Sequence, residues 1–168
     1  MTYKTLGDLS INLKGEYGIG ASSCPLRVDY PRYIRITDIS DDGRYCPEPA
    51  VSIDPLEYPD YAKYYLREND IVFARTGAST GRNYFYNSND GALVFAGFLI
   101  RFSINPNLVN PKYVKYYCQT KGYFDWISST MTGSTRGNLN AQSYANLKIP
   151  MKSTDEQSHI VDSIRNVA

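Results

Sequence analysis

Two short loops of small, polar residues, each carrying arginine, are the parts of this sequence best suited to bind a ligand. The first runs from 75 to 82 and begins and ends with arginine; the second runs from 132 to 138 with Arg136 near its centre. Small residues let the backbone approach a ligand closely, and backbone N–H groups can bind phosphate. Arginine can bind guanine through two donors, as asparagine can bind adenine. Both loops therefore predict contact with duplex DNA.

Nine residues of these two loops are the candidate DNA contacts. They are Arg75, Thr76, Ser79, Thr80, Arg82, Ser134, Thr135, Arg136 and Asn138. The alternative is a pair of ordinary glycine- and serine-rich turns with solvated arginines. A third loop, 14–23, offers Lys14 and Tyr17 as phosphate contacts, and an ordinary surface loop is the alternative there too.

Residues suited to catalysis are scarce. The single histidine, His159, lies beside Gln157 near the C-terminus, where a surface or interface role is the commoner one. Gly18-Ile19-Gly20 is too short for a nucleotide-binding fingerprint, and the sequence has no P-loop and no Asn-Pro-Pro-Tyr methyltransferase motif. We therefore expect a non-catalytic protein that has no cofactor.

The cysteines predict neither a disulfide framework nor a metal site. Cys24, Cys46 and Cys118 are odd in number, lie far apart and include no Cys-x-x-Cys pair. Because free cysteine packs as a small apolar residue, we expect buried thiols.

The composition is that of one folded domain. The 168 residues are 42% hydrophobic and 21% charged, with a formal net charge of +1. DNA-binding domains that act alone often carry a larger basic excess. A DNA-binding domain with this net charge would therefore need partner subunits to supply part of its affinity for DNA. No apolar run approaches the roughly 20 residues of a membrane helix, which predicts a cytoplasmic protein.

The apolar pattern predicts strands around the loops. Residues 33–39 alternate apolar and polar, as in a half-buried strand, whereas 70–74 form the continuous apolar run of a buried strand. Residues 83–86 predict a short strand, and 92–102 predict a longer one interrupted by Gly97. Within two of these patterns lie arginines at 35 and 101, for which structural ion pairs are at least as plausible as DNA contacts.

Helix signals follow in the second half of the chain. Asn110 and Pro111 predict a helix start, since asparagine caps a helix and proline fits its first turn. Gly122 predicts the end of that helix. Ser153 and Glu156 fit a capping box for a last helix.

The last helix has an apolar stripe formed by Ile160, Val161 and Ile164. The chain stops soon after this stripe begins. We therefore expect a truncated helix, or one that packs against a helix of a partner.

Seven segments together resemble the specificity (S) subunit of type I restriction-modification systems, in one of its two target recognition domains and the start of its spacer helix. They are 33–39 (Tyr-Ile-Arg-Ile-Thr-Asp-Ile), 70–81 (Asp-Ile-Val-Phe-Ala-Arg-Thr-Gly-Ala-Ser-Thr-Gly), 98–102 (Phe-Leu-Ile-Arg-Phe), 111–117 (Pro-Lys-Tyr-Val-Lys-Tyr-Tyr), 133–139 (Gly-Ser-Thr-Arg-Gly-Asn-Leu), 147–151 (Leu-Lys-Ile-Pro-Met) and 156–161 (Glu-Gln-Ser-His-Ile-Val). Two departures are visible. The family's exit segment usually has consecutive prolines, whereas Met151 follows Pro150 here, and the full subunit has two recognition domains rather than one.

The resemblance implies an α+β fold, with a twisted, mostly antiparallel sheet, flanking helices and a DNA groove lined by loops. It implies a recognition domain at 1–150 and the beginning of a spacer or dimerisation helix at 151–168. The implied partners are double-stranded DNA, methyltransferase (modification) subunits, motor-nuclease (restriction) subunits, and a second copy or second recognition domain through the C-terminal helix. Half-length specificity proteins and single-chain type II enzymes have similar recognition domains, and a carbohydrate- or protein-binding module is an alternative of another class.

Arg136→Ala is expected to weaken specific DNA binding by ~1–3 kcal/mol if this arginine binds a base through two donors. Binding to specific and nonspecific duplexes is the measurement. Equal losses on all sequences would make Arg136 a phosphate contact, and an unchanged affinity would remove it from the site.

Overall fold

The computed structural model describes residues 1–131 and 138–167, which form ten strands and four α-helices. The strands are β1 (Thr2–Thr5), β2 (Glu16–Tyr17), β3 (Cys24–Pro25), β4 (Arg32–Ile34), β5 (Val51–Ser52), β6 (Asp70–Ala74), β7 (Asn83–Phe85), β8 (Val94–Phe95), β9 (Leu99–Ser103) and β10 (Lys148–Met151). The helices are α1 (Pro111–Tyr117), α2 (Lys121–Met131), α3 (Ala141–Ala145) and α4 (Thr154–Val167).

The middle layer is a four-stranded sheet in the order β2-β9-β6-β7. Along β6, Ile71 and Phe73 pack into a large cluster with the helices, whereas Val72 and Ala74 pack into a second cluster on the opposite face. Successive strand residues point to opposite faces, and here both faces are covered. The predicted buried strand at 70–74 is therefore confirmed, with all five residues buried.

A second sheet, in the order β3-β5-β4-β8, lies on the face of the middle layer away from the helices. Its β4–β8 pair is parallel, and every other strand pair of the described residues is antiparallel. The α+β, mostly antiparallel fold is thus confirmed. The predicted interruption at Gly97 is also present, and it passes the chain from β8 in this sheet to β9 in the middle one.

A small third sheet joins the two ends of the domain body. β1 pairs antiparallel with β10, with Thr2 opposite Met151. The backbone continues this contact, since Leu6 N–H donates to the carbonyl of Leu147 at 2.8 Å. The first and the last strand of the body therefore lie side by side.

The predicted strand at 33–39 is wrong beyond Ile34. β4 ends there, and Ile36–Asp38 form a 3-10 turn. The buried carboxylate of Asp38 accepts hydrogen bonds from the backbone N–H of Arg35 at 2.9 Å and from its guanidinium at 3.0 and 3.1 Å. A buried charge needs such partners, and this pairing favours the turn over a continued strand.

Arg101 also has a structural role. Its side chain is only 7% exposed and lies 3.3 Å from Glu16 Oε1 and 3.5 Å from Asp70 Oδ2. It donates to the carbonyl of Tyr65 at 2.9 Å as well. Burial raises the pKa of Asp70, against the opposing effects of its hydrogen bonds and of Arg101. The arginines at 35 and 101 are therefore ion-paired within the chain.

The helix predicted to start at Asn110 and Pro111 forms, but it ends before Gly122. The Asn110 side chain accepts a hydrogen bond from Lys112 N–H at 3.1 Å. Gly122, the predicted breaker, lies in the first turn of α2 instead, and α1 has already ended before it. The Thr120 hydroxyl accepts from Tyr123 N–H at 3.4 Å, close to the start of α2.

The start of α4 is fixed by side-chain hydrogen bonds. Ser153 Oγ accepts from Glu156 N–H at 3.1 Å, which is one half of the predicted capping box. The buried Gln157 accepts from Asn110 N–H and donates to the carbonyl of Lys152, both at 2.8 Å. These bonds tie α4 to the start of α1.

The apolar stripe of α4 is divided between the core and the surface. Val161 is 2% exposed and belongs to the large cluster, so its predicted place in an interface with a partner is wrong, because this side chain is covered by its own chain. Ile160 packs partly on the same cluster. Ile164 is 37% exposed.

The expectation of buried thiols holds for one cysteine. Cys118 is fully buried, and burial raises its pKa. Cys46 is exposed and Cys24 is half-buried, so for these two the expectation is wrong. Both lie in or near the short strands and turns of the second sheet.

Gly18 is expected to be intolerant of a side chain. A Cβ there would lie 2.0 Å from the carbonyl oxygen of Ala96. Gly18→Ala should lower the free energy of unfolding by about 3 kcal/mol, in the upper part of the range for overpacking. Gly20 is the matched control, since its Cβ would meet nothing within 4 Å. Equal denaturation midpoints for the two variants would contradict this packing.

Candidate nucleic-acid interface

The first arginine-bearing loop leaves the middle sheet between β6 and β7 on a closed stem. Ala74 N–H donates to the carbonyl of Arg82 at 2.8 Å, and Gly81 N–H donates back to the carbonyl of Ala74 at 3.1 Å. Between these ends, Gly77–Ser79 form a 3-10 turn. The loop is therefore a short, compact projection from a buried strand pair.

Two buried tyrosines hold this stem from the helical side. The Tyr144 hydroxyl donates to the carbonyl of Ala74 at 2.6 Å and accepts from Gly81 N–H at 3.1 Å. The Tyr123 hydroxyl donates to the carbonyl of Gly81 at 2.6 Å. Both side chains have no exposed surface, and burial raises the pKa of each hydroxyl, so both stay protonated.

Neighbouring side chains extend this network. Asn83 Nδ2 donates to the carbonyls of Gly81 and Cys118, at 3.1 and 2.9 Å. Gln119 Nε2 in turn donates to Asn83 Oδ1 at 2.9 Å. Gly81 itself has φ +97° and would place a Cβ 3.0 Å from Ile127, so glycine suits this position in conformation and in space.

Arg75, at the start of the loop, is oriented by three contacts. Its Nε donates to the carbonyl of Gly97 at 3.1 Å. Its guanidinium carbon lies 5.2 Å from the ring centre of Tyr17 and 5.5 Å from that of Phe98, within the range of cation–π attraction. Its two terminal nitrogens have no hydrogen-bond partner among residues 1–131 and 138–167. The guanidinium is therefore held by its Nε, and its two terminal nitrogens face the surface.

The concave surface beside Arg75 has a volume of about 650 Å³. Its lining comprises the small residues 20–23, parts of β4 and the following turn, and the turn between β8 and β9. Tyr33 forms part of it, and its hydroxyl donates to the carbonyls of Ile19 and Ala21, at 3.0 and 3.2 Å. Small residues at 20–23, 96 and 97 form much of the lining, which allows a large ligand to approach the backbone there.

The residues at the described end of the second loop contact the first loop. Leu139 N–H donates to the carbonyl of Arg75 at 3.0 Å, and Asn138, just before it, is exposed. The candidates Ser134, Thr135 and Arg136 lie outside the described residues. The described end of the second loop therefore adjoins the first residue of the first loop.

The third loop reaches the same place through Tyr17. Tyr17 is 46% exposed, and its hydroxyl accepts from Ala141 N–H at 3.0 Å. That hydroxyl is engaged in the fold, which leaves the ring face and edge as the accessible part. Lys14 is exposed, and its predicted phosphate contact stays a prediction.

Thr80 and Arg82 have partners within the chain. The Thr80 hydroxyl donates to the carbonyl of Gly77 at 2.7 Å. Arg82 donates to the carbonyl of Ile39 at 3.2 Å and forms an ion pair with Asp41. These contacts favour a supporting role for both residues. Thr76 and Ser79 are half-buried in the same loop, and their contact with DNA stays a prediction.

Phe98 is the site residue that sequence reasoning missed. The strand predicted over 92–102 includes Phe98, whereas this residue occupies the turn between β8 and β9 and is 58% exposed. The available signal was Gly97, which marks the interruption directly before this aromatic residue.

The described residues include no group of three or more His, Cys, Asp or Glu side chains able to hold a metal ion. Among the same residues, no helix combines the length and the apolar character needed to cross a membrane.

The chain matches a family and several solved structures. Residues 4–168 match the family model described as type I restriction modification DNA specificity domain. The crystal structure of the HsdS subunit from Thermoanaerobacter tengcongensis is similar at a TM-score of 0.67 and 17% identity, over 99% of this chain and 41% of that one. The S subunit from M. genitalium is similar at a TM-score of 0.55 and 13% identity, over 97% and 37%.

A third similar structure is described as the structural basis underlying complex assembly and conformational transition of the type I R-M system. Its TM-score is 0.65 at 15% identity, over 99% of this chain and 41% of that one. No sequence match to a curated protein was found. At these identities the solved structures show the fold, and this chain spans 41% or less of their length.

Tyr144→Phe is expected to lower the free energy of unfolding by about 0.5–1.5 kcal/mol, because Gly81 N–H and the Ala74 carbonyl each lose one buried partner and keep their bond to each other. Hydrogen exchange at the Gly81 amide should quicken in the same variant. Tyr3→Phe is the control, as Tyr3 is 52% exposed. Unchanged stability and unchanged exchange in Tyr144→Phe would contradict the role of the tyrosine.

Proposed function

Because the chain belongs to the family of type I restriction modification DNA specificity domains, we propose that it reads one half of a split duplex DNA target. A surface of this size can read about 3–5 base pairs by direct contacts. The chain would serve as the specificity component of a restriction-modification assembly.

One hydrogen bond carries this proposal, the one from Leu139 N–H to the carbonyl of Arg75. A DNA reader requires its arginine-bearing loops to act on the same stretch of duplex. This bond sets the described end of the second loop against the start of the first. Tyr17 supports the same conclusion, because its ring adjoins Arg75 and brings the third loop to this surface.

The chemistry of the surface fits duplex DNA. Arg75 has two available donors for a base edge, and the small residues 20–23 allow the backbone to approach phosphate. The formal net charge of +1 supplies little nonspecific attraction. We therefore propose that partner subunits contribute much of the affinity for the phosphate backbone.

Methyl transfer and cleavage belong to partners in this proposal. The chain would be a non-catalytic component that directs methyltransferase and motor-nuclease subunits to the target. A target base would have to leave the duplex to be methylated, and that step would occur in the methyltransferase. The exposed side of α4 around Ile164 is the surface that we assign to a helix of a second copy or second recognition domain.

The function is tested by mapping methylated bases in the source genome with and without this gene. We expect one split motif to lose methylation in the deletion strain and to regain it with the wild-type gene. Arg75→Ala should restore it poorly, whereas Arg67→Ala, at the opposite end of β6, should restore it fully. An unchanged methylation map after deletion would refute the proposal.

Binding by the assembled methyltransferase complex should also depend strongly on salt. Neutralised phosphates release counterions, so the logarithm of the binding constant falls linearly with the logarithm of the salt concentration. The measurement is fluorescence anisotropy on a target duplex at several salt concentrations. Affinity that is insensitive to salt, together with binding to a sugar, would favour the carbohydrate-binding alternative.

A further inference from the structure

We infer that Arg75 and Phe98 read two adjacent base pairs, with the arginine on a guanine and the phenylalanine ring on the methyl group of a neighbouring thymine. This inference rests on the proposed function and adds to it a base composition within the half-site. It assigns to Phe98 a role in specificity.

The guanidinium of Arg75 is held in an orientation that suits guanine. Its Nε is bound to the carbonyl of Gly97, so the plane of the guanidinium is set before DNA arrives. The two terminal nitrogens can then donate to guanine O6 and N7 in the major groove. Two aromatic rings beside the guanidinium, those of Tyr17 and Phe98, reduce its freedom to swing away.

Packing in the hydrophobic core does not account for Phe98. It is 58% exposed, and none of the three hydrophobic clusters of the described chain includes it. Its backbone is nonetheless fixed, since its carbonyl accepts from Arg75 N–H at 3.1 Å and Leu99 N–H closes the turn onto Ala96 at 3.0 Å. A large apolar ring on a rigid turn suits an apolar ligand group.

The spacing of the two groups matches neighbouring base pairs. The guanidinium carbon of Arg75 lies 5.5 Å from the ring centre of Phe98. Successive bases rise by about 3.4 Å along one strand, so two groups held this close together can face neighbouring base pairs. The thymine methyl is the apolar feature of the major groove, and phenylalanine is one of the side chains that contact it.

The test uses the assembled methyltransferase complex and duplexes that carry the mapped target. Each thymine is replaced in turn by uracil, which removes only the methyl group. We expect one uracil position, next to a guanine, to weaken wild-type binding about fourfold, the value of one buried methyl group. Arg75→Ala should weaken binding to the target roughly 5- to 150-fold.

The deciding comparison is a double-mutant cycle between Phe98 and the thymine methyl. In Phe98→Ala, thymine and uracil duplexes should bind equally, whereas Phe98→Leu should keep part of the difference. Leu108→Ala is the control, because Leu108 is an exposed apolar residue at 44% in the turn before α1. It should retain the full thymine-to-uracil difference.

The outcomes separate the inference from the proposed function. A half-site without adjacent guanine and thymine overturns the inference, and so does a thymine-to-uracil difference that survives in Phe98→Ala. A Phe98→Ala loss that appears in assembly of the complex rather than in DNA binding overturns it as well, and assigns the ring to a protein partner. Salt-dependent binding of the mapped target would still support the proposed function in each case. Absence of target binding by the wild-type complex would refute both.

Discussion

The candidate interface depends on two tyrosine hydroxyls buried beneath it. Tyr144 and Tyr123 satisfy the backbone of Gly81 and Ala74 at the stem of the first loop. The two tyrosines add buried hydrogen bonds to the one that Gly81 N–H makes with the carbonyl of Ala74, and each such bond contributes about 0.5–1.5 kcal/mol, so docking of the helices that carry the tyrosines stabilises the stem. The loop can consequently be short and polar while its base is anchored to the core.

This arrangement couples the surface to the large hydrophobic cluster. Phe73 of β6 packs against Tyr144, with ring centres 4.8 Å apart, and against Tyr123 at 6.2 Å. The strand that ends at Ala74, directly before Arg75, is thereby held by the same rings that bind the loop stem. Rigid support of this kind lowers the entropy lost when a loop binds a ligand, which matters for a chain whose net charge attracts DNA only weakly.

The sequence predicted those features that depend on local patterns. The apolar run at 70–74 gave the bounds of β6, and the small residues after it gave the loop. Local sequence patterns could not predict the ion pair of Arg82 with Asp41, since those residues are distant in sequence and only the fold brings them together. The prediction of a strand over 33–39 is wrong beyond Ile34 because the buried carboxylate of Asp38 stabilises a turn there. The exposed position of Phe98 could not be predicted because the strands before and after it belong to different sheets.

Because β1 pairs with β10, the two ends of the folded domain lie side by side. Thr2 lies opposite Met151, so a longer polypeptide would enter and leave the body through neighbouring points. Everything between those points can change in length or detail without moving the segments on either side relative to each other. A module with adjacent attachment points is therefore interchangeable as a unit, and a host protein could acquire a different binding preference without redesign of its scaffold.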